Sequence, residues 1–270
     1  MVTLSFVQGR LSNEVAGKYQ YFPIHNWRNE FDKGREIGFK SLEWIISDFS
    51  NPIFDPVQQK EIINLCIQNN ISISSISLDL LMSKTLDNFK KNELSWIFKS
   101  IKKISKKVNL LRVSIPVEET SGIRDPITFF KVQNKLVEIL NINKDSNFLL
   151  AVESDMAPLS LRKLLSDNKL KKMGILLDVG NIAAYGYKLE DYFKILSKKI
   201  YSIHIKDRKT GIGPSVKLGS GDAEFEYLSN NIHKLENLKD VVLQTFKTNK
   251  GYLDNIIQAR KFVIKNILKE

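Results

Sequence analysis

The chain has 270 residues, 43% of them hydrophobic, which supplies a sizeable core and excludes a disordered polymer. A single cysteine, Cys66, lies in an apolar helical pattern, so no disulfide closes within the chain, the thiol reads as inert core, and a reducing cytoplasmic setting is expected. The formal net charge is +11, but the lysines occur as scattered pairs (Lys90 with Lys91, Lys102 with Lys103, Lys171 with Lys172, Lys198 with Lys199) near the ends of helix patterns, where cations suit the helix dipole, and no interleaved aromatic and basic strip points to nucleic acid.

Residues 3–7 (TLSFV) read as a first strand rather than a signal peptide, because no basic region precedes them. A helix over 27–37 follows, with Gly38 as its left-handed cap. The second strand is 41–45 (SLEWI) and carries Glu43. Asn51-Pro52 and Asp55-Pro56 mark a loop and the start of a helix running from 57 to 69. Strand three is 71–77 (ISISSIS), followed by Asp79, and a helix covers 93–106. Strand four, 110–115, is followed by Pro116 and by Glu118-Glu119. After a helix over 126–142, strand five (148–152) ends in Glu153, and a short helix over 159–165 leads to strand six (174–177), which ends in Asp178. One helical segment separates it from strand seven (200–203), which ends in His204. A glycine-rich loop over 206–222, a helix over 224–235, strand eight over 240–243 ending in Gln244, and an amphipathic helix over 250–268 complete the chain.

Eight apolar strands alternating with helices at roughly 30-residue spacing predict a single-domain α/β protein, a (β/α)8 TIM barrel over 1–270. No GxGxxG follows the first strand, so a dinucleotide site has no support. No apolar run approaches the roughly 20 residues of a membrane span, so no membrane association is expected.

In such a barrel the polar residues that end neighbouring strands meet at the C-terminal mouth, where chemistry is assembled. Glu153, Asp178, His204 and Gln244 end strands five to eight. Two carboxylates, an imidazole and an amide oxygen make a hard, mostly oxygen donor set that suits Mn²⁺ or Mg²⁺. Each residue alone reads as an ordinary polar strand end; four on consecutive strands read as a metal site.

The motifs around these residues resemble those of the xylose-isomerase-like TIM barrels, the sugar phosphate isomerase/epimerase family. They stand here as Glu153-Ser154, Asp178-Val179-Gly180-Asn181, His204-Ile205-Lys206-Asp207-Arg208 and Gly219-Ser220-Gly221-Asp222-Ala223-Glu224-Phe225. The opening, with Gln8-Gly9-Arg10, Phe22-Pro23, Asn26-Trp27, Glu30-Phe31, Gly38-Phe39 and Glu43-Trp44, resembles a subgroup associated with surface-sugar biosynthesis. The resemblance implies a divalent metal, Mn²⁺ first, with Mg²⁺, Co²⁺ and Zn²⁺ as alternatives, on Glu153, Asp178, His204 and Gln244. It departs from the family at Gln244, where an acid is usual, and at Asn181, where histidine is frequent. The implied substrate is a small carbohydrate, phosphorylated or otherwise anionic, and a homo-oligomer is compatible with it.

The implied reaction moves a proton between adjacent carbons through an enediolate, with Glu153 as base. Gln244 cannot titrate, so its catalytic part is ligation or hydrogen bonding. A one-base isomerase is therefore favoured over a two-base epimerase. A second base could come from Glu43, Asp79, Glu118, Glu119 or Asp207, each of which reads equally well as a loop hydrogen-bonding residue. Lys206, Arg208 and, more weakly, Arg10 are candidate anion contacts, with a salt bridge of Arg208 to Asp207 or Asp222 as the bland alternative. Glu43, Asn181 and Asp207 complete the expected substrate contacts, with His25 and Trp27 as residues that could line a sugar; His233 reads as structural. An apurinic-site endonuclease needs a histidine-rich zinc cluster that three histidines do not supply. A sugar or inosose dehydratase and a non-catalytic sugar-phosphate binder stay open as alternatives.

Overall fold

The computed structural model of the protein describes residues 2–13, 20–247 and 251–269. Seven parallel strands appear in chain order as β1 (Thr3–Val7), β2 (Ser41–Ile45), β3 (Ser72–Ser77), β4 (Arg112–Val117), β5 (Leu149–Ser154), β6 (Met173–Asp178) and β7 (Ile200–Ile205). A two-stranded hairpin of β8 (Asp207–Arg208) and β9 (Ser215–Val216) follows, and β10 (Asp240–Leu243) closes the barrel between β7 and β1. The helices are α1 (Asn29–Ile37), α2 (Pro56–Asn69), α3 (Lys91–Ser105), α4 (Pro126–Ile142), α5 (Pro158–Leu164), α6 (Val179–Ala184), α7 (Leu189–Leu196), α8 (Phe225–Asn231) and α9 (Tyr252–Val263). This is the closed (β/α)8 barrel expected from the alternating pattern.

Local chemistry sets many of the boundaries. Asp55 accepts from the Val57 amide at 2.8 Å and Asp125 from the Ile127 and Thr128 amides at 2.9 Å, each beside a proline in the first helical turn. Gly38, at φ 92°, ends α1 as expected.

Several boundaries differ from the sequence reading, and three of the differences have a clear local cause. Strand β4 runs two residues further and includes Pro116. The pairing of β3 with β4 ends at Ser114, whose carbonyl accepts from Leu78, so the missing N–H of Pro116 falls on an edge that has no ladder left to break. The β6–β7 connection holds two helices rather than one, because Gly186 at φ 72° turns the chain after Tyr185. The helix expected over 224–235 ends at Asn231 and tightens into a 3₁₀ turn, Ile232–Lys234. The expected start of the last helix at Lys250 lies outside the described residues; α9 is seen from Tyr252 and finishes in a π turn, Ile264–Leu268.

The main apolar core lies between strands and helices. The barrel interior is a different environment. A small apolar cluster of Val7, Ile45 and Val242 shares it with buried polar side chains. Arg112 of β4 bonds to Asp240 of β10, and those strands are not neighbours, so this contact crosses the lumen. The helices run antiparallel to the strands, which brings their C-termini to the face opposite the mouth. Lys40, Lys107, Lys144, Lys171, Lys172 and Lys239 are exposed in the loops entering strands there, against the negative ends of the helix dipoles. No helix among the described residues is long and apolar enough to cross a membrane.

Candidate functional site

Three adjacent strands, β5, β6 and β7, end in Glu153, Asp178 and His204. One ligand atom from each lies within 4.8 Å of the others, and all three residues are buried. The parallel register pairs Asp178 directly with His204. Asp178 uses Oδ1 to accept the Asn181 amide at 2.9 Å, which caps α6 and turns Oδ2 away from the backbone. Oδ2 faces the Lys206 ammonium at 2.7 Å. His204 directs Nε2 at Glu43 Oε1, 2.8 Å away, and Nδ1 at Glu153 Oε1, 3.3 Å away. Gln244, just beyond β10, donates from Nε2 to Gln20 Oε1 at 2.8 Å.

Among the described residues, Gln244 Oε1 is buried without a hydrogen-bond partner, while Asp178 Oδ2 and His204 Nδ1 each face one charged group, Lys206 Nζ at 2.7 Å and Glu153 Oε1 at 3.3 Å. Two carboxylates and an imidazole that each offer a buried ligand atom within 4.8 Å of the others are a donor set that suits a cation. Glu153, Asp178 and His204 therefore fit a divalent ion, and the unpartnered Gln244 amide oxygen, just past the neighbouring strand β10, is a further candidate donor.

The charges balance locally. Burial disfavours the His204 charge, but Glu43 and Glu153 on its two sides raise its pKa to about 10. Burial also opposes ionisation of Glu43, yet His204 and Arg112 hold that carboxyl down at about 2. Glu118, just past β4, is pushed well above the usual carboxylate range by burial and by the nearby Glu153. Burial lowers the Lys206 pKa, and Asp178 and Glu118 more than offset it. Burial also drives Asp79 up to about 6 against the hydrogen bonds from Ser77 and Gln20.

Several expected substrate contacts have other partners. Glu43 is fully buried behind His204 and bonds to His204, Arg112 and Ser75, so it does not open to the mouth. Asp207 is also fully buried and accepts the amides of Gly219 and Gly221 at 2.8 Å and Ala223 at 3.1 Å. It staples the glycine-rich loop, and a Cβ on Gly221 would lie 2.0 Å from its Oδ1. Trp27 is 1% exposed and packs against Phe22, Phe31 and Trp44 as core. Arg10 is buried and donates to the Thr245 carbonyl at 2.9 Å and to Gln20 Oε1 at 3.1 Å. His25, Glu119 and His233 are exposed.

Arg208 pairs with neither Asp207 nor Asp222. It donates to the Gly213 carbonyl at 2.8 Å and to Asn181 Oδ1 at 2.7 Å. Asn181 in turn donates to Glu118 Oε2 at 2.8 Å, so Arg208, Asn181 and Glu118 form one chain beside the cluster. Gln20, which links Arg10, Gln244 and Asp79, was not legible as a site residue, since a lone loop glutamine carries no pattern. Arg112 and Asp240 were missed too; the available signal was a charged residue opening each of two otherwise apolar strands.

No protein-family model matches the chain, and no curated protein matches it. Solved structures do. A xylose isomerase-like TIM barrel protein from Mycobacterium smegmatis, in complex with magnesium, is 12% identical with a TM-score of 0.76, over 99% of this chain and 97% of its own. The chain has the xylose isomerase-like TIM barrel fold. The IOLI protein with a bound zinc atom is 15% identical, TM-score 0.74, with 99% of both chains covered. D-psicose 3-epimerase from Clostridium cellulolyticum H10, solved with D-tagatose, is 12% identical, TM-score 0.72, with 98% of this chain and 99% of that one covered.

Proposed function

We propose that this protein is a divalent-metal-dependent isomerase or epimerase of a sugar or sugar phosphate. The observation that carries the reading is the convergence of buried ligand atoms of Glu153, Asp178 and His204 within 4.8 Å of one another. The likeness of the fold to D-psicose 3-epimerase supports it, and the resemblance of the opening segment to barrels of surface-sugar biosynthesis supports a substrate from that chemistry.

Glu153, Asp178, His204 and the Gln244 amide oxygen would hold the ion, with Mn²⁺ the best match to a mixed oxygen and imidazole set. When bound, the ion would polarise two neighbouring substrate oxygens and stabilise enediolate charge. The Glu153 carboxylate removes and returns the proton. Gln244 orients without titrating. Glu43 and Asp207 are engaged elsewhere and Glu119 is exposed, which leaves Asp79 and Glu118 as further acids. Glu118 is the better placed, because Asn181 holds it beside Glu153 and Asp178, and burial pushes its pKa upward, which favours the protonated form that could donate to a substrate oxygen. Lys206 offsets the carboxylate charge. Among the described residues Arg208 spends Nε and Nη1 on the protein and leaves Nη2 for a phosphate or another anion.

The test is metal content by plasma mass spectrometry of protein purified with trace Mn²⁺, alongside Asp178→Ala, followed by proton exchange in D₂O over a panel of keto- and aldo-sugars and their phosphates. About one ion per chain in the parent, lost in Asp178→Ala, and exchange lost in Glu153→Gln are expected. A metal-free parent, or full exchange in Glu153→Gln, overturns the reading.

A further inference from the structure

Behind the three candidate ligands lies a buried ion chain that the proposed proton transfer does not use. Glu43, Arg112 and Asp240 are each fully buried. Arg112 places Nε and Nη2 at 3.1 Å from the two oxygens of Asp240, and Nη2 at 2.6 Å from Glu43 Oε2. The Ser75 hydroxyl donates to the same Oε2 at 2.9 Å. Glu43 Oε1 is thereby turned to His204 Nε2, 2.8 Å away. The groups on the Oε2 side are donors, so the carboxylate is seated as an acceptor at both ends. A nitrogen facing Oε1 has to bring a proton. The other ring nitrogen, Nδ1, then faces the cluster.

We propose that Glu43, oriented by Arg112 and Ser75, is a positioning residue that keeps a proton on His204 Nε2 and so presents the Nδ1 lone pair as the metal ligand. The inference rests on the reading of His204 as a ligand, and extends it to residues that touch neither ion nor substrate. A carboxylate is needed here, and an isosteric amide reverses the outcome. In Glu43→Gln the amide oxygen is drawn to the two donors, Arg112 Nη2 and Ser75, because the opposite rotamer sets an amide N–H against a guanidinium N–H. The NH₂ group then faces His204 Nε2 as a donor. The ring answers by accepting at Nε2 and carrying its proton on Nδ1, where it blocks ligation. The fold and the volume are kept while the tautomer inverts.

The experiment places ¹⁵N-labelled histidine in the parent and in Glu43→Gln, and reads the ring protons of His204 by long-range ¹H–¹⁵N correlation at pH 8, both without metal and with saturating Zn²⁺, which fixes the ring in its ligating form. The signals of the exposed His25 and His233 are removed by substitution. Co²⁺ is then titrated into both proteins and followed by its visible absorption. The parent is expected to show Nε2–H, and Glu43→Gln to show Nδ1–H with a bare Nε2 and Co²⁺ affinity weakened roughly 10–100-fold. Ser75→Ala, which leaves Arg112 in place, is expected to keep Nε2–H. Glu43→Gln that keeps Nε2–H and binds Co²⁺ as tightly as the parent overturns the inference alone. If Glu43→Gln does not fold, the parent still decides, because a parent ring with no proton on Nε2 overturns it. A folded parent with Nε2–H that takes up no Co²⁺ overturns the metal reading instead.

Discussion

Replacing Arg112 by methionine tests the buried ion chain as an energetic unit. The substitution keeps an unbranched chain in the lumen but removes the cation shared by Glu43 and Asp240, both of which are 0% exposed. Removing one partner of a buried ion pair costs about 3–5 kcal/mol, because the remaining charge is stranded without solvent. Two carboxylates are stranded here, although His204 still faces Glu43, so the loss belongs at the upper end of that range. At roughly 2 °C per kcal/mol for a chain of this size, the Tm of the metal-free protein should fall by about 8–10 °C. The assay is thermal and urea unfolding followed by circular dichroism, at low and high salt. High salt should change the difference little, since the pair lies beyond the reach of screening ions. Adding Glu43→Gln and Asp240→Asn to Arg112→Met removes the stranded charges and should recover at least half of the loss. A single variant within about 1 kcal/mol of the parent, or a triple variant less stable than the single, would refute the reasoning.

Asp207→Asn weakens a carboxylate that accepts three loop amides, and should cost about 1–3 kcal/mol and raise hydrogen exchange over residues 217–223, with Gly221→Ala producing the same loosening; unchanged exchange would contradict the staple. Saturating Mn²⁺, at about 100 times its Kd, should stabilise the parent by about 2.7 kcal/mol and leave Asp178→Ala unmoved in the same melt. The metal-free protein should lose stability in alkali. The folded pKa of His204 is raised to about 10 from 6.5, so the stabilisation from its held proton is complete below about 6.5 and disappears as pH rises through 10. Glu43, lowered to about 2, acts in the opposite direction, and its contribution is present above 4.5 and lost as pH falls through 2. Urea midpoints from pH 2 to 10 check both arms, and His204→Asn should flatten the alkaline one.

The alternation of apolar runs with helical periodicity determined the barrel before any coordinates, because each strand and helix is set by side chains a few residues apart. Asp55 and Gly38 could be placed for the same reason, since a cap acts on its own first or last turn. The meeting of Glu153, Asp178 and His204 was legible as well, because parallel strands all finish at one mouth. Contacts across the lumen were not. Arg112 and Asp240 are 128 residues apart and on strands that never pair, so only the closure and stagger of the barrel bring them together. The same closure buries Glu43, expected as a substrate contact, against His204, Arg112 and Ser75. Asp207 lies in the His204-Ile205-Lys206-Asp207 run, yet its side chain points into the returning loop, where Gly219 and Gly221 leave room for their amides to reach it. Short-range patterning thus decided which residues reach the mouth, and the tertiary structure decided which of them face the open centre and which are spent holding it in shape, because that depends on partners the chain brings in from far away.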